Sequence, residues 1–117
     1  MMNYKDLKVW SKAHQSALSI YQLTNNFPKE EQYNLTSQIR RAALSIPTNI
    51  AEGSGKFTNS DFAKFLQIAL GSTHEVEYLL LFSNELKFID QKDYETISSE
   101  IGEVKAMLIT LIKKIRA

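Results

Sequence analysis

QIRRAALSIPTNIAEG, residues 38–53, decides how many helices this chain forms. Ile39, Ala42, Ile46 and Ile50 recur three and four apart, the spacing of one face of an α-helix. Pro47 interrupts that run, and a mid-helix proline removes a backbone hydrogen bond and clashes one turn back, costing roughly 3 kcal/mol. Ile46 and Ile50 stay in phase on either side of it. The segment is therefore expected to continue through Pro47 as one bent helix rather than stop there. Beside the apolar seam runs a polar stripe of Gln38, Arg41, Ser45, Asn49 and Glu52, turned by about 110° at 3.6 residues per turn.

Working outward, this helix is expected over about residues 30–52, with Leu35 as the first seam residue and the glycines of EGSGK (52–56) as its stop. Upstream, residues 5–25 carry Leu7, Trp10, His14, Ala17 and Tyr21 at helical spacing, widened by Val9, Ala13, Leu18 and Ile20. That helix ends at TNNFP (24–28), where asparagines and Pro28 supply turn chemistry. Downstream, Thr58 and Asn59 are capping candidates for a third helix starting near Ser60. It bears Phe62, Phe65, Leu66, Ala69, Thr73, Val76, Leu79 or Leu80, and Leu86. A fourth follows Asp90, with Tyr94, Ile97, Ile101, Val104, Leu108, Leu111 and Ile115 in strict three-four alternation. Long helices joined by short loops, with no sustained period-two segment, give an all-α fold. The expected architecture is a single antiparallel up-down-up-down four-helix bundle over residues 1–117.

With 117 residues, 44% hydrophobic and 23% charged, the chain has the length and balance of one ordinary globular domain. Cysteine is absent, which excludes disulfides and thiolate metal sites and makes the cytoplasm the default compartment. The longest apolar run, YLLLF (78–82), is far short of the roughly 20 residues that cross a bilayer, and MMNYKDLKVW does not read as a signal peptide. No membrane partner is expected. YLLLF is nevertheless apolar around more than one turn, and Leu44, Met107 and Ile109 lie off their helices' seams. Together they point to a subunit interface.

Net charge is +1, which argues against strong nonspecific binding to nucleic acid. It is unevenly spread: residues 1–57 hold Lys5, Lys8, Lys12, Lys29, Arg40, Arg41 and Lys56 against Asp6, Glu30, Glu31 and Glu52, while residues 58–117 are net acidic. Lys5, Lys8, Lys12, Arg40 and Lys56 are the candidate nucleic-acid residues, with Lys5, Lys8 and Lys12 on one side of the first helix. Their ordinary alternative is a solvated face. The polar stripe has two readings as well, hydrogen bonding within the fold or ligand binding. Buried polar groups are normally paired, so the first is preferred, with Arg41 expected to pair with Glu75 or else Glu52.

Neither histidine stands in a pattern that helical-bundle enzymes use. Ser11 and Gly71 occupy the positions three before His14 and His74, so the Glu-x-x-His pairs of di-iron bundles are missing. No arginine stands near either histidine, as helical-bundle ribonucleases often have, and the AEGSGK glycines match no phosphate loop. The chain is read as a non-enzyme, with no cofactor and no metal site.

YKDLKVWSKAH (4–14), FPKEEQYNLTSQIRRAALSIPTNIAEG (27–53) and FLQIALGSTHEVEYLL (65–80) resemble the four-helix-bundle proteins encoded in intervening sequences of bacterial 23S ribosomal RNA genes. The likeness spans nearly the whole chain. A related branch is the accessory variability protein of diversity-generating retroelements, a nucleic-acid-binding partner of a reverse transcriptase, from which this nearly neutral chain departs. The resemblance implies ring-like homopentamers, most without established biochemical activity. It marks Trp10, Gln38, Arg41, Asn49, Glu52, Gly53, Gly71, Ser72 and Glu75 as signature positions, to which the residue reading adds Ser45 and Pro47. Itself, RNA or DNA bound weakly, and a further protein are the expected partners.

Overall fold

The computed structural model describes residues 2–117, and helix forms where the apolar periodicity places it: α1 Lys8–Thr24, α2 Leu35–Ser54, α3 Asn59–Glu85 and α4 Gln91–Arg116. No strand occurs among the described residues. Each helix packs on two neighbours around a square, α1 on α2 and α4, α3 on α2 and α4. Met2 N–H donates to Ser54 O at one end of the α1–α2 pair, and Arg40 reaches Thr24 at the other, so the two run antiparallel. Ser45 meets Ser72, and Gln38 shares a groove with Tyr78 and Phe82, which makes α2 and α3 antiparallel as well. On the far side Lys12 pairs with Glu103, and Leu7 and Val9 lie beside Thr110 and Leu111. The result is an up-down-up-down bundle with extents of 43 × 24 × 20 Å.

Capping chemistry sets the starts. Thr58 Oγ1 accepts from Asp61 N–H at 3.1 Å ahead of α3, and Asp90 Oδ1 accepts from Asp93 N–H at 2.8 Å ahead of α4. Two helices begin later than the periodicity suggested. The Tyr4–Asp6 turn is 3-10, and Leu7 is extended (φ −89°, ψ 123°), so α1 starts at Lys8. Lys29–Glu31 is likewise a separate 3-10 turn, and α2 starts only at Leu35, whose N–H donates to the Glu31 carboxylate at 3.3 Å. That side chain supplies an acceptor for one of the first helical N–H groups, which have none within the helix.

Helix α2 runs unbroken through Pro47, which is buried. The glycines behave differently from expectation. Gly53 lies inside α2, and only Gly55 is at its C-terminal cap, in a right-handed conformation (φ −85°). Gly53 is needed for packing: a Cβ there would stand 2.8 Å from Phe65 Cβ and 2.9 Å from Phe62 Cδ1.

The core draws on all four helices, with Ile20, Ile39, Ile46, Ile50, Leu66, Leu80, Ile101 and Leu108 sealed from solvent. Two seams are displaced from their sequence readings. The buried line of α1 is Val9, Ala13, Ala17, Ile20 and Thr24, while Trp10 is half-buried and Leu18 and Tyr21 are exposed. In α4 the last core residue is Ile112, with Leu111 and Ile115 only half-buried. In α4 the shift appears only near the end, because a straight helix at 3.6 residues per turn drifts away from a strict seven-residue repeat over several turns.

Candidate functional site

Arg40 and Arg41 are neighbours in sequence, but about 100° apart on a 3.6-residue helix, and they do different things. The Arg40 guanidinium bridges to the end of α1. Nε donates to Thr24 Oγ1 at 2.8 Å, and Nη2 donates to Asn25 Oδ1 at 2.9 Å and Tyr21 O at 3.1 Å. It also lies 4.8 Å over the Tyr21 ring. A cation that satisfies a last-turn carbonyl is favourable at a helix C-terminus. Arg41 is exposed and forms no ion pair among the described residues; the pairing expected with Glu75 or Glu52 is not made, and both carboxylates are exposed too. Arg40→Ala should therefore cost about 1.5–3 kcal/mol in urea unfolding, and Arg41→Ala less than about 1 kcal/mol. Equal losses for the two would refute this assignment.

The centre of the polar stripe is structural. Asn49 Nδ2 donates to Ser45 Oγ (3.0 Å) and Ser45 O (2.8 Å), Ser45 Oγ lies 2.8 Å from Ser72 Oγ, and Ser72 Oγ donates to Ile68 O at 3.2 Å. Ser45, Asn49 and Ser72 thus join α2 to α3, while Gln38 and Glu52 at the stripe's ends are exposed. Trp10 stacks on His14, with ring centroids 4.9 Å apart, and meets Tyr4 edge-on at 4.8 Å.

The five candidate nucleic-acid residues do not form one patch. Arg40 is engaged in the α1–α2 junction, Lys12 is paired with Glu103, and Lys56 lies 5.0 Å over the Phe65 ring. Lys5 sits in the 3-10 turn, so it is not in line with Lys8 and Lys12 along the helix. Topology brings in residues that a division of the sequence into halves assigned elsewhere. Because α4 finishes beside the start of α1, Lys113, Lys114 and Arg116 share an end with Lys5 and Lys8. Adding Lys56 and Lys64 gives seven cations there against Asp6, Glu52 and Asp61. The opposite end carries Lys29, Arg40, Lys87 and Lys92 against six carboxylates, Glu30, Glu31, Glu85, Asp90, Asp93 and Glu95. Folding the near-neutral sequence as an antiparallel bundle would have revealed this polarity.

The outer face of α3 carries the unsatisfied apolar surface. Ile68 (52% exposed), Tyr78 (60%), Phe82 (43%) and Leu86 (45%) lie toward one side, with Gly71 among them; Leu44 of α2 is exposed at 49%. Within YLLLF, Leu79 and Leu80 enter the core and the other three residues do not. Met107, expected on the outside, is half-buried against the core. Gly71 is in mid-helix with nothing within 4 Å of a would-be Cβ, so no contact within the protomer explains it. Among the described residues no helix is long and apolar enough to cross a membrane, and no His, Asp or Glu cluster is arranged to hold a metal.

Known proteins share this arrangement. A model of the family described as 23S rRNA-intervening sequence protein matches residues 5–110. A crystallised protein of unknown function from the S23 ribosomal protein family of Bacteroides thetaiotaomicron is 31% identical and superposes with a TM-score of 0.84. That match covers 90% of this chain and 95% of that one. No curated protein matches the chain.

Proposed function

The chain belongs to the 23S rRNA-intervening sequence protein family, and from that premise we propose that it acts as a non-enzymatic homopentameric bundle that associates weakly with RNA or DNA through its basic end. The observation that carries the nucleic-acid reading is the charge polarity of the bundle, with Lys5, Lys8, Lys113, Lys114 and Arg116 together at one end. Side-by-side assembly would gather five such ends on one face, so a nearly neutral protomer yields a particle with one strongly basic face. Binding should be indifferent to sequence and lost steeply between about 50 and about 200 mM salt, as release of condensed counterions requires. Filter binding or fluorescence anisotropy with a structured RNA measures it. Reversal of Lys5, Lys8, Lys113 and Lys114 to Glu should abolish binding with the helical signal intact. No binding at about 50 mM salt, where phosphate contacts are strongest, overturns the reading.

Self-association is supported by the outer face of α3. Monomers seldom leave Ile, Tyr, Phe and Leu together on one exposed helix face. Gly71 weakens α3 by about 0.5–1 kcal/mol relative to alanine, a cost that close approach of another chain would offset. Light scattering on a size-exclusion column should give a pentamer at micromolar concentration, and Phe82→Glu should give a smaller species. A monomeric parent chain refutes the assembly. The same apolar face also favours a second reading, an adaptor that docks another protein and has no nucleic-acid role. Failure to bind RNA combined with an intact oligomer would select it.

A further inference from the structure

At the end of the bundle remote from Lys5 and Lys8, a notch of about 220 Å³ opens between the last turn of α1 and the first turns of α2. Thr24, Asn25, Lys29, Gln32, Thr36 and Arg40 supply its polar lining, and no carboxylate lines it. Glu31, the nearest acidic candidate in the preceding turn, is directed elsewhere by its bonds to Asn34 Nδ2 (3.2 Å) and Leu35 N–H (3.3 Å). Glu30 is exposed.

Two groups in this lining have unused hydrogen-bonding capacity. Arg40 is held by its Nε and Nη2 contacts to Thr24, Tyr21 and Asn25, which leaves both Nη1 N–H donors without a protein partner. Thr36 is 6% exposed, and its Oγ1 is the one buried side-chain polar atom without a partner among the described residues. A buried hydroxyl left unpaired is costly, and native folds rarely keep one without a reason. The other buried hydroxyls are paired locally: Thr24, Thr73 and Ser83 each donate to a carbonyl of their own helix.

We propose that this notch binds a phosphate group, either free or at the end of a nucleotide or oligonucleotide. A phosphate monoester carries between one and two negative charges near neutral pH and three acceptor oxygens. Here it meets a guanidinium already fixed in position, a flexible ammonium from Lys29 and the side-chain amides of Asn25 and Gln32, and the Thr36 hydroxyl, sealed as the side chain stands, reaches it by rotation about χ1. A prepositioned arginine loses little freedom on binding, which favours specific contacts over diffuse attraction. The site is separate from the proposed basic end and does not depend on it.

The test is titration of the full chain, in chloride buffer of constant ionic strength, with inorganic phosphate and with a dinucleotide carrying or lacking a terminal phosphate. Amide NMR shifts provide the readout. Saturable shifts at Asn25, Gln32 and Thr36 are expected from the phosphorylated probes and not from the unphosphorylated dinucleotide. A response to inorganic phosphate identifies the free anion as sufficient. A response to the phosphorylated dinucleotide alone identifies a nucleotide terminus as the source. Lys29→Ala and Thr36→Val should each weaken binding about five- to tenfold, a change measured as a ratio of Kd values. Thr36→Val should not lower thermal stability, because it replaces an unpaired buried hydroxyl by a methyl of similar shape. No shift with any phosphorylated probe, shifts confined to Lys113 and Lys114, or binding unchanged in both variants would each overturn the proposal.

Discussion

Leu80→Ala should lower the unfolding free energy by about 2–5 kcal/mol, reducing the urea midpoint while leaving the slope of the transition unchanged. Leu80 is fully buried in the C-terminal third of α3, in the core cluster to which all four helices contribute. Truncation removes apolar area from that core and leaves a cavity that long, mutually braced helices can close only in part. Tyr78, two residues earlier in the same apolar run, is 60% exposed. Tyr78→Ala should cost the fold less than about 1 kcal/mol. The contrast tests which residues of YLLLF belong to the protomer core. A Leu80→Ala loss below about 1 kcal/mol would mean the core is not packed as described.

Gly53 should be the position least tolerant of a small addition. In an exposed helix interior, replacement of glycine by alanine stabilises by about 1 kcal/mol. At Gly53 the new Cβ would stand 2.8 Å from Phe65 Cβ and 3.3 Å from Phe62 O, atoms fixed to the α3 backbone. Relief requires α2 and α3 to separate, because neither atom can rotate away. Gly53→Ala is expected to destabilise by about 1–3 kcal/mol, and Gly53→Val by more. Gly102, where a Cβ would meet nothing within 4 Å, provides the control. Gly102→Ala should stabilise by about 0.5–1 kcal/mol. Thermal melts of the three variants decide the matter, and a stabilised Gly53→Ala would show that the helices are not in close contact there.

Much of the candidate site was hidden from a linear reading. Arg40 and Arg41 are indistinguishable as adjacent cations, yet Arg40 braces α1 and Arg41 is exposed. Their difference arises from which neighbouring helix each faces, and helix periodicity alone does not carry that information. The Ser45–Ser72 contact joins residues 27 apart. The stripe marks Ser45 and the resemblance marks Ser72, but helix periodicity carries no sign that the two hydroxyls meet, whereas the charge of Arg41 is plain in the sequence. The basic end is hidden for a related reason: Lys8 and Lys114 are remote in sequence and become neighbours only when α4 returns alongside α1.

The sequence by itself determined the number of helices, their order and the continuity of α2 through Pro47. These depend on apolar spacing and short polar connections, which act within a few turns of one segment. Asp90 and Thr58 as caps were legible for the same reason, since a cap acts within three residues. Only the tertiary structure decided which side of α1 faces inward and why Gly53 is a glycine. Each depends on surfaces brought together from distant segments. Val9, Ala13 and Ile20 prevail over Leu7, Trp10 and Tyr21 as the α1 core line because burial is shared with α2 and α4. An amphipathic stripe wider than one contact line leaves its rotation open, and packing against neighbours selects one rotation by the area it removes from water.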